Sequence, residues 1–439
     1  MGVQVAQLQQ EALQSKWSLA SRVAFRFCLV YFGLYCAATQ IITSLLPVPN
    51  LDIPDPSSLW PASQLVLWTE AHILRIAKPI PYVETGSGDK TFDWAVVTCL
   101  LMVSGLATVL WSILDRRRES YNTLYKWFRL FIRLSLAGQM FVYGMDKAIP
   151  LQMPFPDLTR LLEPYRDFSP ASVLWYFVGA SPAYEVFAGC AELLGGILLV
   201  FPRTVMLGAL VCLADMIQVF MLNMTYDIPV KLLSFHLILL SLFILAPELK
   251  RLGDFFFGNR TVGPSNQPQL FVTRRANRIA LAAQIVFALW LLGMNVWGGV
   301  AAWRKYGGGS PKSALYGIWD VEQLSIDGQT RSPLTNDYGR WRRVVFDFPK
   351  TVAFQRMDDS FARFGASIDT NARTIALSKG GDKKWKASLT YQRPAGDQLL
   401  LDGTMDSHKV HMQLLLVDRS KFMLVSRGFH WIQESPFYR

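Results

Sequence analysis

The chain has 439 residues, 51% of them hydrophobic and only 18% charged, with a formal net charge of +11. So low a charged fraction argues against an ordinary soluble domain. The positive charge does not read as a nucleic-acid footprint, because the basic residues fall in loops between apolar runs.

Those runs recur at about 23–46, 93–114, 126–148, 183–202, 204–223, 229–246 and 279–302, each near the ~20 residues that span a bilayer. They predict a multi-pass bundle of about seven helices. The 14 Trp, 15 Tyr and 28 Phe suit the aromatic belts of such proteins. The first run carries Arg26 and no small-x-small site follows it, so it reads as an uncleaved anchor. Basic residues flank alternate sides of the spans: Lys16, Arg22 and Arg26, then Arg116, Arg117, Arg118 and Lys126, then Arg203, then Lys250, Arg251, Arg260, Arg274, Arg275 and Arg278. The opposite loops carry Asp52, Asp55, Glu70, Glu84, Asp89, Asp157, Glu163, Asp167 and Asp227. The positive-inside rule places the N-terminus in the cytoplasm of a bacterial-type cytoplasmic (inner) membrane, and the tail from residue 310 outside.

The loop from Pro47 to Asp93 is long, and its stretch 65–76 has helical spacing suited to the membrane interface. Ala171–Ala180 is apolar but too short to cross; it reads as a re-entrant or interfacial helix. Cys28, Cys36, Cys99, Cys190 and Cys212 all fall in spans, as packing residues rather than a disulfide framework.

Residues 1–306 thus form a transmembrane domain, 307–312 a Gly-rich linker, and 313–439 a separate module. In the module, short alternating runs are punctuated by turn residues such as Asp327-Gly328, Asp358-Asp359 and Gly380-Gly381. This pattern predicts an all-β antiparallel barrel of eight or nine strands and nothing helical. Trp319 is read as the floor plug and Phe422–Val425 as a last strand; an interior packed solid with Trp319, Phe346, Leu400 and Leu415 would argue against a ligand-binding barrel. The opening Gly317-x-Trp319 resembles the lipocalin-like barrels.

Polar groups inside spans need a reason. Glu185 and Glu192 share a face of the fourth span; the fifth carries Asp215, Gln218 and Asn223; the sixth opens on Asp227, Lys231, Ser234 and His236; the third carries Arg129, Arg133, Gln139, Tyr143, Asp146 and Lys147. One reading gathers them around a water-accessible pocket. Glu192 is then its catalytic proton acceptor, Lys231 and His236 bind an anionic or quinone-like head group, and Asn223, Asp227, Tyr143 and Lys147 complete the site. The other reading makes them interhelical hydrogen bonds and ion pairs, with Lys231–Asp227 a local salt bridge and Arg129 and Arg133 snorkelling to the interface. His236 is the single histidine in a span, which leaves a bis-histidine haem without a second ligand. Nucleotide-binding glycine motifs and G-x-S-x-G do not occur.

Tyr143-Gly144-Met145-Asp146-Lys147 closing the third span, and Ala191-Glu192-Leu193-Leu194-Gly195-Gly196 in the fourth with its E-x-x-x-G pattern, are similar to the DoxX-like membrane proteins over roughly residues 126–250. The resemblance implies a four-helix core and a component of a quinone-linked membrane redox system, with a quinone as the implied cofactor. It leaves open whether the chain is itself an oxidoreductase. The alternatives are a non-enzymatic lipid or apolar-ligand binder, and an envelope assembly protein whose partner meets Trp431, Phe437 and Tyr438. Those aromatics otherwise read as core.

Overall fold

A backbone in hydrocarbon must satisfy its own hydrogen bonds, so each long apolar run becomes a helix. The computed structural model describes residues 16–48, 51, 53–258, 261 and 267–437; Asp52, Arg260 and Tyr438 lie outside them. Helix α1 (Leu19–Ala38) starts at Ser18, whose side chain accepts the Ser21 N–H. It ends at Thr39, which is extended, and the chain resumes as α2 (Gln40–Ser44). The predicted first span is therefore two pieces. There follow α3 (Ala62–His72), α4 (Thr91–Leu114), α5 (Asn122–Ala148), α6 (Pro170–Gly179), α7 (Pro182–Val200), α8 (Val205–Thr225), α9 (Lys231–Leu245), α10 (Leu249–Phe257) and α11 (Arg274–Lys305).

Six helical segments among the described residues are long and apolar enough to cross a membrane: α1, α4, α7, α8, Lys231–Phe257 and α11. The protein is a multi-pass membrane protein with a C-terminal β-barrel. The predicted third span, α5, is helical but too polar to meet that standard, since it carries Lys126, Arg129, Arg133, Asp146 and Lys147. It buries much of its surface instead, including Ile132, Leu136, Met140 and Phe141. Arg26 is also buried. Its guanidinium donates to Tyr121 Oη at 2.9 and 2.7 Å, to Ser112 Oγ at 2.9 Å and to the Asp115 carbonyl at 2.9 Å. Full hydrogen bonding is what makes a cation tolerable there.

Two compact units result: Met1–Gln152 with Ala183–Ala302, and Met153–Pro182 with Trp303–Arg439. Met153–Pro182, with helix α6, groups with the β module. Leu158 packs with Ile318, Val345 and Ala353, and its N–H donates to Asp347 Oδ2 at 2.8 Å.

The β module runs β1 (Gly317–Ile326), β2 (Gln329–Thr330), β3 (Trp341–Phe346), β4 (Thr351–Arg356), β5 (Phe361–Asp369), β6 (Thr374–Lys379), β7 (Asp382–Gln392), β8 (Gln398–Met405) and β9 (His408–Leu416). From β3 onward each strand pairs antiparallel with the next, β1 pairs with β3, and β9 returns to β1. The result is a closed barrel of eight strands, with β2 appended to β1. Trp319 is wholly buried and its indole N–H donates to the Leu315 carbonyl at 3.0 Å. Phe346 is buried, but Leu400 and Leu415 are not interior: Leu399, Leu401, Met412 and Leu414 are. A strand alternates faces, so a one-residue shift of phase turns every side chain around. The 422–425 segment is a short helix, α12 (Met423–Ser426), rather than a strand. Once β9 has closed on β1, no barrel edge is left for a further strand to join. Trp431 is 90% exposed, so it is not core.

Asp347 gives the barrel unit a pH response. It is buried, and desolvation holds its carboxyl above the ordinary value of 3.8 against the pull of the Leu158 N–H, Lys312 and Arg419. A raised folded pKa contributes stability that is complete below the unfolded pKa and is lost as pH rises through the folded one. Asp327, Asp358 and Asp418 act in the opposite sense, each lowered first by a side-chain hydrogen bond, from His408, Ser360 and Ser420 respectively. Asp347→Asn leaves those three in place and is expected to flatten only the Asp347 part. Thermal melts of wild type and variant across a pH series check this; two parallel profiles contradict it.

Candidate functional site

Three of the predicted site residues meet where α7 crosses α5. The crossing is close because it is made of glycines. A Cβ on Gly189 would lie 2.5 Å from both Ala148 N and Gly144 O, and one on Gly144 would lie 2.9 Å from Leu193 Cγ. Gly196 faces Phe141 and Met140 in the same way. Small residues let helix backbones approach in the membrane. That approach brings Lys147 Nζ to 2.8 and 2.9 Å from the two carboxylate oxygens of Glu192. The side chains are only 9% and 4% exposed. The ammonium also lies 5.8 Å from the Tyr143 ring centroid.

Gln139, Tyr143 and Lys147 are spaced four apart and so lie along one stripe of α5. The helix break at Thr39 turns Gln40 toward that stripe. Gln40 Nε2 donates to Tyr143 Oη at 2.7 Å and to Gln139 Oε1 at 3.2 Å, while Gln139 Nε2 donates to Ser44 Oγ at 2.6 Å. Tyr143 thus accepts from Gln40 and keeps its own O–H to donate. Beside this network is a cavity of about 330 Å³, lined by the polar Gln40, Thr43, Ser44, Gln139, Tyr143 and Asp146 and by the apolar Leu46, Pro47, Val48, Leu51, Ile53 and Val142.

The other four predicted residues sit elsewhere. Lys231 Nζ pairs with Asp227 at 3.0 Å and with Asp89 at 3.8 Å. The local ion pair read from the sequence is present. Asp89 also accepts the backbone N–H groups of Lys231 and Leu232 at 2.8 and 2.9 Å, which caps α9 from a distant loop. Asn223 donates to Ser234 Oγ at 3.0 Å, across the α8–α9 turn. His236 stacks on Tyr35 at 3.7 Å between centroids. Its Nδ1 lies 2.6 Å from the Leu232 carbonyl, which can only accept, so Nδ1 carries the proton and Nε2 accepts from Tyr31 Oη at 2.7 Å. Glu192, Asn223, Lys231 and His236 therefore bond to separate partners and do not share one network.

Gln40, Ser44, Tyr31 and Tyr35 carry no signal of this role in the sequence, and Asp89 reads there only as an acid of an outer loop. Arg129 and Arg133 do not snorkel: they are 3% and 8% exposed and turn inward, toward Ile244, Gln267 and Gln284.

No family model and no solved structure matches the chain. A Bacillus subtilis protein described as the uncharacterized protein YwoB is 33% identical over 124 residues, which is 28% of this chain and 79% of that protein. An identity of that level across most of the relative places this chain in the YwoB family.

Proposed function

We propose that the protein is a membrane component of a quinone-linked redox system of the cell envelope, built on a DoxX-like core, with its site at the α5–α7 crossing. The observation that carries this reading is a charged pair, nine-tenths buried, close to a cavity lined by both polar and apolar side chains. A planar ring bearing carbonyls and an apolar tail fits such a lining. The quinone would supply the two-electron, two-proton chemistry. Tyr143 Oη would donate a hydrogen bond to a ring carbonyl, oriented by the Gln40 amide. The apolar side chains of Leu46, Val48, Leu51 and Ile53 would hold the ring and exclude water. Lys147 and Glu192 would keep a proton in reserve, held by a bidentate contact that shifts as charge changes nearby. With α5 counted as a seventh crossing, carried across by its buried partners, the distribution of basic loops supports an inner-membrane location with the N-terminus in the cytoplasm and the barrel outside. Purified protein is expected to bind a short-tailed quinone, and Tyr143→Phe to weaken that binding by about tenfold, the effect of one lost hydrogen bond. Equal affinity for both proteins, or no binding, counts against the site.

A second reading, binding of an apolar ligand with an acidic head, rests on the barrel. A cavity of about 490 Å³ lies at its mouth, with Trp341, Phe364 and Trp385 among its walls and Arg356, Arg363 and Lys379 among its lining cations. Phe364 and Trp385 stack at 4.5 Å. Mass spectrometry of organic extracts from the purified full-length protein would show such a ligand.

A further inference from the structure

The first half of α5 carries Lys126, Arg129 and Arg133, three and four residues apart and so on one face. Arg129 and Arg133 are both more than nine-tenths buried. Among the described residues no carboxylate forms an ion pair with either. Arg129 donates to the Ile244 carbonyl at 2.8 Å and to Gln267 Oε1 at 2.9 Å. Arg133 donates to Gln284 Oε1, and Lys126 Nζ to the Leu270 carbonyl at 2.7 Å. The Nε atoms of both arginines are buried with no hydrogen-bond partner. These groups line a cavity of about 270 Å³, whose other polar walls include Gln267, Gln284, Asn277 and Arg278; none of its lining residues is acidic. The carboxylate of Glu248 does not line this cavity; it receives Gln267 Nε2 at 3.4 Å and pairs with Arg251 at 3.2 Å.

Unlike Arg26, each of these guanidiniums keeps a buried Nε without a partner, and two guanidiniums four residues apart repel each other, so their desolvation is incompletely offset. An anion would offset both costs. A tetrahedral phosphate presents several acceptor oxygens, which match the forked N–H groups of two arginines. We propose that this cavity is a binding site for a phosphate-class anion, held by Arg129 and Arg133 with Lys126 and Arg278 at its edge. A phosphodiester lipid headgroup and free phosphate share that chemistry; basic cavities between helices are common headgroup sites. The inference is independent of the quinone site.

The test uses the purified full-length protein in a neutral detergent at fixed ionic strength. Phosphatidylglycerol, inorganic phosphate and phosphate-free diacylglycerol are titrated separately, with affinity read by calorimetry. Phosphatidylglycerol or phosphate is expected to bind, and diacylglycerol not to. Arg133→Gln is expected to weaken binding by about tenfold, the size of a lost charge-assisted bond. Because that variant alters the packed interior, Arg278→Gln serves as the second. Arg278 is exposed, so its variant is expected to melt like wild type and bind about threefold more weakly. Binding of phosphatidylglycerol alone, lost in the variants, identifies a lipid headgroup; binding of inorganic phosphate, lost likewise, identifies the free ion. Failure of both probes to bind, or unchanged affinity in both variants, overturns the proposal.

Discussion

Lys147→Met alone is expected to destabilise the protein by about 3–5 kcal/mol, because it strands the Glu192 carboxylate in the bundle without a counter-charge. Glu192→Leu strands the ammonium and is expected to do the same. The double variant Lys147→Met with Glu192→Leu removes both desolvated charges together. Replacement of a buried pair by apolar side chains is often neutral or stabilising, so the double variant is expected to regain most of what either single change loses. Melting followed by tryptophan fluorescence in detergent checks the cycle. Losses that simply add would show that the two side chains do not interact. The same cycle separates stability from function: a double variant that folds but no longer binds quinone, alongside a bound wild type, shows that the pair acts on the ligand. A double variant with full binding shows that it only holds the helices.

Gly189→Val is expected to have the next largest effect. Its Cβ would meet backbone atoms, Ala148 N and Gly144 O, both at 2.5 Å, and Lys147 Cβ at 2.8 Å. Backbone cannot rotate aside as a side chain can, so α7 must move away from α5. Overpacking of this kind costs about 1–3 kcal/mol, and the backbone contact puts Gly189 at the top of that range. The movement also lengthens the contact between Lys147 and Glu192. Lys147 is then expected to become reactive to a small acylating reagent that spares it in wild type. Gly105→Val on α4 is the control, because a Cβ there meets nothing within 4 Å. Equal melting of the two variants would contradict the close crossing described above.

The membrane spans and the barrel could be read from the sequence because both rest on short-range patterning. Length and hydropathy mark a helix in lipid, and alternation between turns marks a strand. The errors came where the outcome depends on pairing across the chain. Leu399-Leu400-Leu401 and Leu414-Leu415-Leu416 carry no alternation to fix which of their side chains face inward. Residues 422–425 have strand-like composition, and only the β1–β9 closure denies them an edge. At the site, Tyr143, Lys147 and Glu192 were visible as polar residues in apolar runs, but Lys147's partner was not. That pairing depends on glycines of two helices meeting, as does the approach of Gln40, which needs the break at Thr39. Gln139, Tyr143 and Lys147 at a spacing of four did carry a usable signal: a polar stripe on one face of a helix. For Lys231 the local pair with Asp227 was such a signal; His236 carried none, because nothing local reveals that Tyr31 is its partner.

The most direct test of the site is photolabelling. Purified protein is irradiated with a short-tailed azidoquinone and the modified peptides are sequenced by mass spectrometry. Labels on residues 40–53 and 139–146, competed away by excess unmodified quinone, are the predicted result. Labels confined to the barrel mouth around Trp341, Phe364 and Trp385, or the absence of any competed label, would contradict it.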